Sequence, residues 1–315
     1  MKFLWIGLGV AAFLLVTVLI ITWECYRRAF YAPRKKPVTP ESINLPIGNI
    51  YEPYWEDMKI WAAQVRNMPC QEVEITSFDG LKLRGKFYEY APGATIELMF
   101  HGYRGDSERD MPGGVQRCFK LGRSALVVDQ RCAGRSQGKT ITFGIYEHKD
   151  CLRWVDFMVE HFGSDVKIIL TGISMGAATV LMAAGKELPS NVIGVIADCG
   201  YSSPWEIIRI VIEKMGIPVK PSYPFVKLAA RIYGGFDLEA DSPIESVKKA
   251  KVPIIFIHGA EDDFVPCWMS EKMYEVCPAR KALFKVPNAG HGLACLIDPE
   301  GYYKALRSFF EEDTK

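Results

Sequence analysis

The sequence predicts an α/β fold: a mostly parallel, doubly wound sheet with a small helical cap, preceded by a transmembrane helix. Three patterns carry this. From Thr95 to Val286, short runs that are apolar throughout alternate with segments of helical apolar spacing, and strands that lack a polar face and are separated by helices belong to a parallel sheet covered on both sides. Between Ser203 and Lys251 no strand-like run occurs, so a helical insertion interrupts the alternation. Phe3 to Thr22 is uncharged and apolar, the length that spans the hydrocarbon core of a bilayer.

In chain order, residues 1–24 are expected to anchor the chain, residues 25–50 to link, and residues 51–315 to fold as one domain with its cap at about 203–250. A cleaved signal peptide would need a shorter apolar run and a small-x-small site, and Trp23-Glu24-Cys25-Tyr26 offers none. Lys2 precedes the span, whereas Arg27, Arg28, Arg34, Lys35 and Lys36 follow it, which places the C-terminal part on the cytoplasmic side of a single-pass membrane protein. Ala32 to Pro46 is punctuated by proline and reads as the link itself. In Tyr54 to Asn67, Tyr54, Met58, Trp61 and Val65 share one helical face.

Glu72–Ser77 and Leu81–Tyr88 flank Asp79-Gly80 as a hairpin. It would add an antiparallel edge. Parallel strands are expected at Thr95–Phe100, Ala125–Val128, Lys167–Leu170, Asn191–Ala197, Pro253–Ile257 and Ala282–Val286. Helices are expected near Gly114–Leu121, Tyr146–His161 and Ala177–Lys186, and in the cap at Trp205–Met215 and Phe225–Tyr233. Lying over the carboxyl ends of the strands, the cap would line a substrate pocket with Trp205, Ile208, Tyr223 and Phe225.

Composition excludes several classes of function. The formal charge of +1 leaves no electrostatic footprint for nucleic acid. Nine cysteines are scattered, with no C-x-x-C and no H-E-x-x-H, so neither a disulfide framework nor a metal site has support. Free thiols suit a reducing compartment. No cofactor is expected.

The chemistry points to Gly172-Ile173-Ser174-Met175-Gly176, set between a strand-like run and an Ala-rich helix. A strand that turns into a helix this sharply lifts the central serine out of the sheet, and the flanking positions tolerate little beyond glycine. A serine hydroxyl needs a base, and the base an orienting acid. Of five histidines, His148 and His161 end a helix-like stretch, and His101 and His258 each end a strand in a His-Gly pair that suits bracing. His291 remains, in the small-residue loop Asn288-Ala289-Gly290-His291-Gly292. The acid is expected after the strand that ends at His258, where Asp262 fits best by loop position. Glu261 and Asp263 are its neighbours, and Asp198 is a more distant alternative.

Gly172–Gly176, His101-Gly102-Tyr103, Asp129-Gln130-Arg131 through Gly134-Arg135-Ser136, His258–Pro266 and Gly290-His291-Gly292 together resemble the α/β-hydrolase superfamily. The resemblance runs from Glu72 to Glu312 and is greatest to the serine-aminopeptidase-like and lysophospholipase-like branch, which includes membrane-anchored bacterial members. It implies an oxyanion hole made by the backbone N–H groups of Tyr103 and Met175. Cys132 stands where the family usually has glycine. Gly134 to Thr140 imitates a phosphate loop but has three residues between its glycines where four are needed. The expected activity is hydrolysis of a small-molecule or lipid-like carboxylic ester through an acyl-enzyme, with peptide or thioester cleavage, or a non-catalytic tethered binding role, as alternatives.

Overall fold

The computed structural model describes residues 1–33 and 43–311. Arg34, Lys35 and Lys36, and residues 34–42 of the expected link, lie outside the described residues. Helix α1 covers Lys2–Ala29, and α2 covers Trp55–Arg66. The hairpin strands are β1 (Gln71–Thr76) and β2 (Lys82–Tyr88). After β3 (Ile96–Phe100) come the short α3 (Ser107–Asp110) and α4 (Pro112–Lys120). Then follow β4 (Ser124–Asp129), α5 (Glu147–Phe162), β5 (Ile168–Ile173), α6 (Met175–Ala184) and β6 (Val192–Asp198). The insertion holds α7 (Pro204–Lys214), α8 (Val219–Ala229) and α9 (Pro243–Val247). The chain closes with β7 (Ile254–Gly259), α10 (Trp268–Val276), β8 (Lys281–Val286), α11 (Ala294–Ile297) and α12 (Pro299–Glu311).

The eight strands form one sheet in the order β1-β2-β4-β3-β5-β6-β7-β8. The hairpin pairs antiparallel and every pair from β4/β3 onward is parallel. Successive side chains of a strand point to opposite faces, and the packing follows. Leu98, Ile168 and Leu170 meet Trp154 of α5 and Leu181 of α6 on one side. On the other, Ile169, Ile196 and Ile255 meet Tyr302 and Leu306 of α12, and Met99 and Val127 meet Val65 of α2 and Val115 of α4. Every residue of β3 and β4 is buried, including Glu97, which pairs with Arg117 and Arg123.

Among the described residues, α1 is the one helix long and apolar enough to cross a membrane. It continues past the boundary expected at residue 24, because its foot fits a slot in the domain. Phe30, fully buried, sits edge-on to Phe143 at 5.8 Å and to Phe236 at 5.3 Å. The last carbonyls of a helix lack intrahelical partners, and here the domain supplies them. The Tyr103 hydroxyl donates to the Ala29 carbonyl at 2.8 Å, and Arg104 donates to those of Arg28 (2.9 Å) and Tyr31 (3.0 Å). The Ile141 N–H donates to the Phe30 carbonyl at 2.8 Å, and the Tyr26 and Thr140 hydroxyls share a 2.7 Å hydrogen bond. Replacing Phe30 with alanine empties a slot that little can refill, so Phe30→Ala is expected to cost about 3–5 kcal/mol. Thermal unfolding of the detergent-solubilised protein checks this, and an unchanged midpoint would mean that α1 is held only by its tether.

Candidate active site

The turn between β5 and α6 holds Ser174 at φ 55° and ψ −116°, a region that a non-glycine residue occupies only when its surroundings impose it. The two flanking glycines impose it by letting backbone meet backbone. A Cβ at position 172 would collide with the Gly176 carbonyl, and one at 176 with the Phe100 carbonyl. The Ser174 N–H donates to the Asp198 carbonyl at 2.8 Å, which fixes the turn to the end of β6.

The loop after β8 brings His291 across the ends of the strands. Gly259, the last residue of β7, permits this approach, since a Cβ there would collide with the Ala289 carbonyl. The Glu261 N–H then ties the two loops together by donating to the Ala289 carbonyl at 3.0 Å. His291 Nε2 lies 2.9 Å from Ser174 Oγ, and His291 Nδ1 lies 2.7 Å from Asp262 Oδ2. An ionised carboxylate only accepts, so Nδ1–H donates to Asp262 and Nε2 is left to accept the Ser174 proton. The Phe264 ring stands 5.1 Å from the imidazole and covers it.

Three acids share the loop, but only Asp262 is buried, whereas Glu261 and Asp263 are exposed. Asp262 Oδ1 accepts from the N–H groups of Phe264 (2.9 Å) and Val265 (2.8 Å), so Oδ2 is the oxygen that faces His291. Asp198 meets a different partner: its Oδ2 accepts from the Tyr302 hydroxyl at 2.9 Å. His258 proves to be a brace. It donates from Nε2 to the Val265 carbonyl at 2.8 Å, lies 3.3 Å from Asp262 Oδ2, and shares a 2.7 Å hydrogen bond between Nδ1 and Ser270 Oγ. His101 braces too, accepting the Gln130 N–H on Nε2 at 3.0 Å.

Burial pushes the Asp262 carboxyl up, but hydrogen bonds from His258 and His291 outweigh it and hold the group at about 2. A carboxyl lowered in the folded state gives stability that is fully present above its ordinary pKa near 3.9 and is lost as pH falls through about 2. The stability gap between the wild type and Asp262→Asn, open at pH 6, is therefore expected to narrow by about 2 kcal/mol as pH falls from about 5 to about 2. Urea unfolding at stepped pH reads this, and a constant gap would contradict it.

A cavity of about 500 Å³ adjoins Ser174 and His291. Its walls correct the sequence expectation, because Trp205, Ile208, Tyr223 and Phe225 do not line it. Ile47, Ile50 and Tyr51, together with Met58 and Trp61 of α2, do. The cap helices spend their apolar surface elsewhere: Ile208 and Val226 are buried in the cluster that receives Tyr26 and Phe30, with Tyr223 packed against it. The Tyr223 hydroxyl donates to Glu239 at 2.8 Å, and Trp205 lies under the Arg209 guanidinium at 5.5 Å. Sequence reasoning found the shared face of Met58 and Trp61 but not what it covers. Residues 46–51 carried no signal.

Tyr103 lines the cavity, and Met175 is the first residue of α6, where helix N–H groups lack intrahelical partners. Cys199 Sγ, Asp262 and His291 place ligand-type atoms within 4.8 Å of one another. Both imidazole nitrogens are already engaged by Asp262 and Ser174, which leaves the ring no nitrogen free for a metal ion.

Sheet order, nucleophile turn and loop placement are those of the α/β-hydrolase fold. A family model described as alpha/beta hydrolase fold matches residues 98–215, and one described as Dienelactone hydrolase family matches residues 213–309. The chain is similar to the uncharacterized protein YqkD of Bacillus subtilis, 29% identical over 61% of this chain and 63% of YqkD. It is also similar to the uncharacterized membrane protein YNL320W of Saccharomyces cerevisiae, 28% identical over 61% of this chain and 62% of that protein. The matched region thus spans less than two thirds of either relative. Among solved structures, the Pyrococcus furiosus esterase Pf2001 superposes with a TM-score of 0.63 at 22% identity, covering 88% of this chain and 98% of the esterase. At that identity the likeness is one of fold.

Proposed function

We propose that the protein is a serine hydrolase that cleaves carboxylic esters through an acyl-enzyme. Ser174 attacks the carbonyl, His291 takes its proton and returns it to the leaving alcohol, and Asp262 holds the imidazole in the required tautomer. Water then releases the acid. The developing oxyanion is met by the N–H groups of Tyr103 and Met175. One observation carries the reading: the unbroken hydrogen-bond chain from Ser174 Oγ through His291 to Asp262, at 2.9 Å and 2.7 Å. That a solved structure of the same fold is described as an esterase supports it. The full-length protein in detergent is expected to turn over p-nitrophenyl acetate or butyrate faster than the matched anilides, and absence of ester turnover would contradict the reading.

The same proposal assigns residues 1–24 to a membrane anchor, 25–50 to the connection and 51–315 to the hydrolase domain, on the cytoplasmic side. It places the chain with the membrane-anchored, lysophospholipase-like and serine-aminopeptidase-like branch. Its support is the length of α1, the basic residues that follow it, and the yeast relative described as a membrane protein. Cys70 is exposed, so an impermeant maleimide should reach it only after cells are opened. Labelling in intact cells would reverse the topology.

A further inference from the structure

Helix α8 is apolar on two opposite sides. Val219, Tyr223, Val226 and Ala229 turn one side into the cluster that also holds Tyr26 and Phe30. With about 3.6 residues per turn, the opposite side carries Pro221, Phe225 and Leu228, and Ile232 in the turn Ala230–Gly234 continues the same stripe. Leu228 and Ile232 are 37% and 48% exposed, and Met215 and Ile217, just before α8, are exposed as well. A contiguous apolar face without protein against it calls for another cover. The cap also packs along α1 itself. The Tyr233 hydroxyl donates to the Leu19 carbonyl at 3.0 Å, and its ring meets Trp23 edge-on at 5.2 Å and Tyr26 at 5.7 Å. These contacts fix the height of the cap on α1. The uncharged run Phe3–Thr22 is about 30 Å long as a helix, which matches the hydrocarbon core of a bilayer with nothing to spare. Leu19 therefore lies about 4.5 Å inside the edge of that core. Tyrosine and tryptophan concentrate at this boundary, which is where Trp23 and Tyr233 meet.

We propose that the outward face of α8, centred on Leu228 and Ile232, is a membrane-docking surface that lies at the boundary between headgroups and acyl chains of the bilayer that α1 crosses. The inference rests on the reading of α1 as a spanning anchor and adds that the cap itself enters the lipid. Continuity selects the partner. Ile232 adjoins Tyr233 in the chain, and Tyr233 is bonded to a residue inside the apolar run, so a bilayer around α1 reaches the stripe with no further protein. Charge agrees. Lys220, Lys227 and Arg231 recur at helical spacing along one flank of the stripe, where long cationic side chains lay their stems on apolar surface and keep their heads in water. Lys227 pairs with Glu239 and Arg231 with Asp237. Burial of apolar area, rather than attraction to anionic lipid, therefore holds the face down, and a zwitterionic bilayer is sufficient.

Photocrosslinking in lipid tests this. The photoreactive residue p-benzoylphenylalanine is placed, one position at a time, at Phe13, Leu228, Ile232 or Val276 of the full-length protein in phosphatidylcholine vesicles, and mass spectrometry after irradiation reads what each position has captured. Phe13, exposed on α1, is the reference for lipid. Val276, exposed where α10 leads toward the start of β8, is the reference for water. Phospholipid adducts at 228 and 232 are expected to exceed those at 276 by at least about tenfold. Both residues are exposed, so the substitutions leave the core intact. Adducts at 13 with no excess over 276 at 228 and 232 would overturn the docking surface and leave the anchor standing. Capture of a second copy of the chain at 228 or 232, in place of lipid, would overturn it in favour of a dimer. Absence of lipid adducts at 13 would mean that α1 does not span, and the docking surface falls with it.

Discussion

Replacing Ser174 with alanine is expected to lower ester turnover by at least about 10⁴-fold with little change in stability. The two effects separate because Ser174 Oγ has one hydrogen-bond partner, His291 Nε2 at 2.9 Å, whereas the turn is held by backbone. The Ser174 N–H bond to the Asp198 carbonyl and the two close glycine contacts remain in the variant, and alanine meets φ 55° on much the same terms as serine. Loss should fall on kcat, since the apolar walls of the cavity are untouched. Steady-state kinetics beside circular dichroism reads both quantities. Turnover above a tenth of wild type in a folded variant would remove Ser174 from the chemistry.

The second large effect is expected from Asp262→Asn, about 10⁴-fold in kcat, by way of a tautomer. Oδ1 of Asp262 accepts two backbone N–H groups, so an asparagine here keeps its carbonyl oxygen at that site and turns its NH₂ toward His291 Nδ1. An NH₂ group donates, so Nδ1 must accept and the ring proton moves to Nε2. With Nε2 protonated, the imidazole has no lone pair for the Ser174 proton. Loss of less than about tenfold would mean that another group orients His291.

Ser174 was readable because its geometry makes steric demands that sequence records, a glycine two residues to either side. His291 was readable by elimination, since the other strand-end histidines sit in pairs suited to bracing, and the bracing is what His101 and His258 do. The choice among Glu261, Asp262 and Asp263 was not readable. It depends on which way a loop turns its side chains, and only the fold buries one of the three. The pocket was misread for a related reason. Apolar spacing on the cap helices shows that they bury a face but not against what, and the foot of α1 takes much of it. Cys132, where the resemblance implies glycine, adopts the left-handed backbone at φ 69°, a conformation that favours glycine and carries a conformational cost for any other residue.

The central claim is that a base-activated alcohol stands at position 174. A fluorophosphonate probe, followed by peptide mapping of the adduct, addresses it most directly. One adduct is expected, on Ser174, absent from Ser174→Ala and formed far more slowly in His291→Ala. An unlabelled wild-type protein, or an adduct that persists when Ser174 is replaced, would contradict it.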